Sequence, residues 1–194
     1  MKNIFLDCGT NICQGLIQFY NNGIIDNTYK IHTFEPNSEG CRVKERIAKI
    51  IEQTPLNITT YNSAVWIEDG YISFNQEYGV SSTTGEIDLA GVMSSIDGVG
   101  INTPGFKNKM TVPSINFSRF VSELPSDSNI ICKMDIEGAE FQVLRHMIKE
   151  GTISLIKEIY IEFHKRYVPI ESAETEMELV NTISNLGVKV YTWD

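Results

Sequence analysis

Ile4-Phe5-Leu6-Asp7-Cys8-Gly9-Thr10-Asn11-Ile12-Cys13-Gln14-Gly15 is the stretch whose reading decides the fold. Ile4 to Asp7 reads as a buried strand that ends on a carboxylate. Gly9 has no Cβ and so permits a sharp turn with close backbone approach. From Ile12 the apolar residues Leu16, Phe19 and Tyr20 recur at helical spacing. The stretch therefore predicts strand, tight turn and helix. The start of that helix offers unpaired N–H groups, a seat for an anionic or polar ligand group. Such a unit opens a nucleotide-binding α/β sheet, in which ligands lie beyond the carboxyl ends of the strands. The three-glycine dinucleotide fingerprint is not met, because Asp-x-Gly-x-Asn-x-Cys stands in its place. The competing reading of this stretch alone is a plain strand–turn–helix without a ligand.

Outward from it, Asn21-Asn22-Gly23 stops the helix and Tyr29-Lys30-Ile31-His32-Thr33-Phe34 reads as a second strand running into Glu35-Pro36. Proline pushes Glu35 out of the helical region, which leaves its carboxylate at the strand's carboxyl end. An acidic residue there, following an Asp-x-Gly turn, accepts hydrogen bonds from ribose hydroxyls in nucleotide-binding folds. A solvated loop glutamate is the bland alternative. Val43, Ile47, Ile50 and Ile51 mark an amphipathic helix over Ser38 to Gln53, closed by Pro55. Ile58 to Val65, rich in β-branched residues, predicts a third strand. The Glu68-Asp69-Gly70 turn suggests that Ala64–Trp66 and Tyr71–Phe74 pair as a hairpin.

Gln76 to Met110 breaks the alternation: 35 residues contain six glycines, many Ser and Thr, and little periodicity. A loop of that length in a compact domain is an insertion with a function or a disordered excursion. We read it as a cover or selector for the substrate, with a short strand near Glu86–Met93. The pattern then resumes. Thr111–Asn116 is extended, Phe117–Leu124 is a short helix, and Asn129–Asp135 is a buried strand ending on a second carboxylate. Phe141, Leu144 and Ile148 share one face of the next helix, which Gly151 ends. Ile159–Phe163 is a fifth core strand followed by His164. Met177, Val180, Ile183 and Leu186 mark a last helix, and Val188–Thr192 a last strand. Strands alternating with helices, without repeats, imply one doubly wound, mainly parallel sheet with right-handed connections.

The totals bound the function. A chain of 194 residues is sized for a single domain, 1–194, carrying the insertion at 76–110. The formal net charge of −9 opposes a nucleic-acid backbone as main partner, and no apolar run is long enough to span a bilayer. Cys8, Cys13, Cys41 and Cys132 form no CxxC pair and no zinc-finger spacing. With almost nothing ahead of the first strand and no signal peptide, we expect reduced thiols and a cytoplasmic protein.

The most specific string is Lys133-Met134-Asp135-Ile136-Glu137-Gly138-Ala139-Glu140. Together with Phe5–Ile12, His32–Pro36 and Ile161–His164, it resembles the FkbM family of S-adenosylmethionine-dependent methyltransferases, from about residue 3 to residue 164. The resemblance implies a Rossmann-like α/β fold of the class I methyltransferase type, with a sheet that lacks its usual antiparallel last strand or fills that edge from elsewhere. It implies that Asp7, Gly9 and Asn11 line the seat of the cofactor's methionine part. Glu35 would hold the ribose, Asn62, Ser63 and Ala64 would lie near adenine, and Asp135 would stand beside the sulfonium and the acceptor. Two departures stand out. Cys13 occupies a position where the family usually has glycine, and Ser114-Ile115-Asn116 replaces the family's frequent Thr-Leu-Asp, which removes a carboxylate.

The expected activity is methyl transfer to a hydroxyl of a sugar or small metabolite, with a small-molecule or glycan acceptor as partner. A base that takes the acceptor's proton as the new bond forms would speed that step. Asp135, Glu137, Glu162 and His164 are the candidates, of which Asp135, Glu162 and His164 are preferred as catalytic groups. His164 follows a strand end and an unperturbed imidazole suits a base; a capping or surface histidine is the alternative. His32 reads as a packed strand residue and His146 as a solvated helix residue. Glu140, one turn into its helix, would favour the dipole at the helix start, and Glu137 is open to the same reading. The four base candidates would also suit a hard divalent cation, but sequence spacing does not fix such a site, and no metal is expected. Two other functions compete. One is an NAD-dependent oxidoreductase, opposed by Asn11 and Cys13 where glycines are needed. The other is a catalytically degenerate binding module, which Cys13 and the short C-terminal part would suit.

Overall fold

The computed structural model describes residues 2–37, 42–76, 79–80, 87–88, 94–96, 108–164, 168 and 173–193. In chain order its elements are β1 (Lys2–Cys8), α1 (Gln14–Asn21), β2 (Tyr29–Phe34), α2 (Val43–Gln53), β3 (Asn57–Tyr61), β4 (Ala64–Trp66), β5 (Gly70–Gln76), β6 (Gly79–Val80), β7 (Ile87–Asp88), β8 (Ser94–Ile96), β9 (Asn108–Asn116), α3 (Phe117–Ser122), β10 (Ser128–Met134), α4 (Glu140–Lys149), a 3-10 turn (Thr152–Leu155), β11 (Glu158–Ile161), α5 (Ala173–Asn185) and β12 (Lys189–Thr192).

Six strands form the central sheet in the order β12-β11-β10-β1-β2-β3, and every pair in it is parallel. Both faces of this sheet are covered, which is what lets its inner strands read as nearly continuous apolar runs. Successive side chains of β1 alternate between the two faces. Phe5 joins Leu16, Phe19, Ile31, Ile47 and Ile50 under α1 and α2. Ile4 and Leu6 join Ile130, Phe141, Leu144, Ile159 and Ile183 on the face covered by α4 and α5. Phe19 is the pivot of the first layer, with ring centroids 5.0 Å from Phe5 and 4.8 Å from both Tyr160 and Trp193. The sheet runs outward in one direction from β1 through β2 to β3, then returns to add β10, β11 and β12 on the other side. The order therefore reverses between β1 and β10, and the crevice at that reversal is where ligands of doubly wound folds bind.

The doubly wound, mainly parallel sheet predicted from the alternation is present. Its sixth strand, β12, bonds directly and in parallel to β11, and no antiparallel strand belongs to the central sheet among the described residues. The predicted third strand is two strands. β3 ends at Tyr61 in the central sheet, and β4 starts at Ala64 in a second sheet of order β4-β9-β5-β8. The hairpin expected between Ala64–Trp66 and Tyr71–Phe74 does not form, because β9 lies between the two. It pairs in parallel with β4 and antiparallel with β5, from Gly70 opposite Ser114 to Gln76 opposite Asn108. Asp69 fixes the arrangement. Its carboxylate accepts from the Asn116 N–H at 3.1 Å and from two nitrogens of Arg119 at 2.8 and 3.0 Å.

Other boundaries move by a residue or two. β1 continues through Cys8, so Asp7 is its penultimate residue, and α1 starts at Gln14 rather than Ile12. The start of the helix predicted from Ser38 falls on 38–41, outside the described residues, and α2 is described from Val43. Of the insertion at 76–110, only β6, β7, β8 and the start of β9 are described beyond Gln76. The strand expected near Glu86–Met93 is described only as Ile87–Asp88, paired with β6. The reading of the insertion as a substrate cover otherwise lies outside the described residues. Among these residues no helix is long and apolar enough to cross a membrane.

Candidate active site

The turn after β1 is shaped by what it must pass. A Cβ on Gly9 would stand 1.7 Å from the backbone oxygen of Asp135, and the residue has φ +77°. No side chain fits there, so the close approach predicted for Gly9 is made to the end of β10. The amides of Gly9 and Thr10 both donate to the carbonyl of Phe34, at 3.0 and 3.1 Å, which ties the turn to the end of β2. Two further residues of the turn, Asn11 and Cys13, have left-handed backbones with φ +46° and +67°. A left-handed backbone at the residue capping α1 is the physical reason a glycine suits that position. Cys13 holds it at a steric cost and fills buried space. Burial, and next the Asp7 charge, push its thiol up to about 12, so it stays protonated.

Asp7 is fully buried, and among the described residues neither carboxylate oxygen accepts a hydrogen bond. Burial raises its pKa and the Lys133 ammonium opposes the rise. Lys133 is the residue that sequence reasoning missed. From the middle of an apolar strand its Nζ donates to the Gly9 carbonyl at 2.7 Å and stands 3.0 Å from Asp135 and 3.5 Å from Asp7. Burial alone would lower its pKa, but the Asp7 and Asp135 charges and the Asp135 hydrogen bond outweigh it and raise it. The signal was available: a lysine inside Ile130-Ile131-Cys132-Lys133-Met134 cannot be buried without a partner.

Glu35 is not a solvated loop residue. It is buried at the tip of β2, and its two oxygens accept from the backbone amides of Asn11 at 2.8 Å and Asn37 at 2.9 Å. Burial raises its pKa, and these two amides pull the other way. One carboxylate thus joins the loops that follow β1 and β2. Asn62, Ser63 and Ala64 lie between the tip of β3 and β4, with Asn62 exposed, Ser63 half-buried and Ala64 buried.

A second group gathers at the tips of β10 and β11. Its frame is Glu140, which does more than face a helix dipole. It is fully buried, and its oxygens accept from the amides of Ile136 at 2.8 Å and Gly138 at 2.9 Å. The loop is wound round it, with Glu137 and Gly138 at φ +54° and +102°. Because Glu140 only accepts, His164 Nδ1, 3.0 Å from its Oε1, is the donor of that pair. The imidazole is 4% exposed. Its other nitrogen, Nε2, faces Glu162 at 3.3 Å, Glu137 at 3.4 Å and Asp135 at 3.8 Å. Asp135, Glu137 and Glu162 are each partly open to solvent. Burial alone would lower the pKa of His164, but the Glu140 hydrogen bond and charge, then Glu137 and Asp135, carry it to about 9. With its pKa there, this imidazole is protonated at neutral pH. It is neither a surface histidine nor the unperturbed base that its strand-end position suggested.

The structure therefore brings Asp7, Gly9, Asn11 and Glu35 together at one side of the switch point. It brings Asp135, Glu162 and His164 together at the other, with Lys133 between. His32 is packed as expected: it stacks on Tyr61 with Nδ1 3.1 Å from the phenol oxygen, and burial drives its pKa down to about 4. His146 is half-buried rather than solvated. Asn116 caps α3, its side-chain oxygen accepting from the Arg119 N–H at 3.0 Å. Asn and Asp cap helices about equally well, so the carboxylate missing from this position is a structural one.

A nucleoside cofactor carrying an amino-acid end would need polar acceptors at these two strand tips. The described residues supply a buried carboxylate, Asp7, with no hydrogen bond on either oxygen, and a second carboxylate, Glu35, at the neighbouring tip. A family model described as the Methyltransferase FkbM domain matches residues 7–187. No curated protein and no solved structure matches the chain.

Proposed function

The chain belongs to the FkbM methyltransferase family, and from that premise we propose that it moves a methyl group from S-adenosylmethionine to a hydroxyl of a sugar or other small metabolite. The observation that carries this reading is the pairing of Asp7 and Asp135 through Lys133 across the point where strand order reverses. Asp7, Gly9 and Asn11 would hold the cofactor's methionine part, Glu35 its ribose, and Asn62, Ser63 and Ala64 its adenine. The cofactor supplies, when bound, a methyl group already activated on a sulfonium.

The chain's own task is to position and to receive a proton. Holding the acceptor oxygen in line with the methyl carbon and sulfur supplies roughly 7–11 kcal/mol of barrier lowering. The bound cofactor would give its methyl group to the acceptor oxygen and keep the electron pair of the broken carbon–sulfur bond on sulfur. The hydroxyl proton passes to a carboxylate at the tips of β10 and β11. Glu162 and Asp135 are partly open to solvent and would face the acceptor. His164, held protonated among these acids, balances their charge. The formal net charge of −9 supports an uncharged or cationic small acceptor, not a nucleic acid.

Calorimetry with S-adenosylhomocysteine tests this reading. The wild-type chain is expected to bind it, and Glu35→Gln and Asp135→Asn to bind at least about ten-fold more weakly, a loss of about 1.4 kcal/mol. Circular dichroism and thermal melts check that both variants are folded. Absence of binding to the wild type, or equal affinity in both folded variants, would overturn it.

A further inference from the structure

A cavity lies at the amino ends of the strands, away from the tips that carry the methyl-transfer residues. Side chains two apart on a strand share a face. Lys2 and Ile4 of β1 and Lys30 and His32 of β2 therefore project to one side of the sheet, with Ile4 in register beside Lys30. Over the carboxyl half of that face lies α3, whose Phe120 meets the His32 ring edge-on at 5.4 Å. The helix ends at Ser122, and beyond it the face opens as a cavity of about 420 Å³ walled by Leu124 and Pro125. That volume suits a small organic molecule.

The charge of the lining has one sign. None of the residues around the cavity is acidic, although the chain holds 25 acids against 16 lysines and arginines. Lys2 and Lys30 are exposed at its rim, and neither is ion-paired with a described residue. Asp26, next in the chain to the lining Asn27, turns its carboxylate to the Thr28 amide and hydroxyl at 2.8 and 2.6 Å. Ile4 and His32, both buried, form the floor. His32 Nδ1 faces the Tyr61 phenol at 3.1 Å. On the other edge of the ring, Nε2 has no hydrogen-bond partner among the described residues. A buried polar atom left in that state is an exception that calls for a cause. With the Tyr61 O–H donating to Nδ1, Nε2 carries the ring proton and is a donor. The Lys30 charge also reaches this imidazole, being the next cause after burial of its low pKa. An anion placed between the two turns that repulsion into two attractions.

We propose that the cavity is a second binding site, for a small organic molecule ending in an oxyanion, which accepts from His32 Nε2 between Lys2 and Lys30 while the body lies against Leu124 and Pro125. A carboxylate and a phosphate ester share the required chemistry, acceptor oxygens that carry negative charge. Lysine suits either, as a mobile point charge without the fixed fork of arginine. The site is separate from the one facing the cofactor. His32 stands three residues before Glu35, a rise of about 10 Å along the strand.

Imidazole NMR on the full chain, labelled with ¹⁵N in its three histidines, tests the site. His32→Phe identifies the His32 signal by its loss. The probes are benzoate and phenyl phosphate, with benzylamine as a cation of similar body. In a buffer free of phosphate and carboxylate, at least one of the two anions is expected to shift the His32 Nε2 resonance saturably, and benzylamine to leave it in place. A response to benzoate alone marks a carboxylate site, to phenyl phosphate alone a phosphate-ester site, and to both a site that reads charge. Both lysines are exposed, so Lys2→Gln combined with Lys30→Gln should keep the fold and weaken binding at least about ten-fold. If the amide spectrum shows that double variant unfolded, Lys30→Gln alone decides. The proposal is overturned if neither anion shifts His32 at about 10 mM, if benzylamine shifts it equally, or if the folded lysine variant binds as the wild type does. The outcome is independent of S-adenosylhomocysteine binding, which reports on the other end of β2.

Discussion

The tips of β1 and β2 and the tips of β10 and β11 both end in acids, yet they are built in opposite ways. On the first side Asp7 and Glu35 are buried, and Glu35 is held by two backbone amides of the chain. On the second side Asp135, Glu137 and Glu162 stay partly open to solvent and converge on one buried imidazole. The first side is a closed frame, with Glu35 set by backbone amides and Asp7 facing the Lys133 ammonium. The second is a concentration of charge, held in place from behind by Glu140. Carboxylates at strand tips therefore differ in their surroundings: one pair is sealed in, and the other group stays partly open around an imidazole.

The contrast can be broken most severely at Gly9, where the two sides touch. Gly9→Ala puts a methyl group against the Asp135 backbone oxygen at a left-handed position. We expect a loss of more than about 4 kcal/mol, or no folded protein, by urea denaturation. Full stability would show that the two tips are not in contact.

Lys133→Met comes next. It leaves Asp7 and Asp135 without their shared cation and should cost about 3–5 kcal/mol, since removing one member of a buried ion pair strands the other. Much of that loss should be recovered in Lys133→Met with Asp7→Asn, and no recovery would mean that Lys133 acts by packing alone.

The smallest effect concerns how dry the first side is. His32 sits beneath the tip of β2 and has a folded pKa of about 4, below its unfolded value of 6.5. The unfolded chain binds the proton more readily in that window. The contribution of His32 is therefore complete above about pH 6.5 and is lost as pH falls through 4. Compared with His32→Phe, the wild type should lose on the order of 2 kcal/mol more stability between pH 6.5 and pH 4. Parallel stability curves for the two proteins would show that water reaches the imidazole.

Much of this was legible in the chain. The strand–turn–helix around Gly9, the acids at strand tips and the alternation of elements are local patterns, and the parallel sheet follows from them. What escaped depended on partners far apart in sequence. The place of β9 between β4 and β5 is set by pairings such as Gly70 with Ser114, which no local period announces. The hairpin expected there looked right because its turn chemistry was right. In the site, the positions of Asp135, Glu162 and His164 beyond two adjacent strands could be anticipated. The turning of His164 by Glu140 could not, because Glu140 looked like an ordinary first-turn acid. Cys13 was conspicuous as a departure from glycine, but only the backbone shows that the position is left-handed.

Glu35 carries one more consequence. Because a single carboxylate clips the amides of Asn11 and Asn37, the two loops are one mechanical part. A displacement of either pulls on the other, so the loops after β1 and β2 are set together. A ligand that engaged one loop first would find the other already in register, and the entropy of ordering the two would be met once instead of twice.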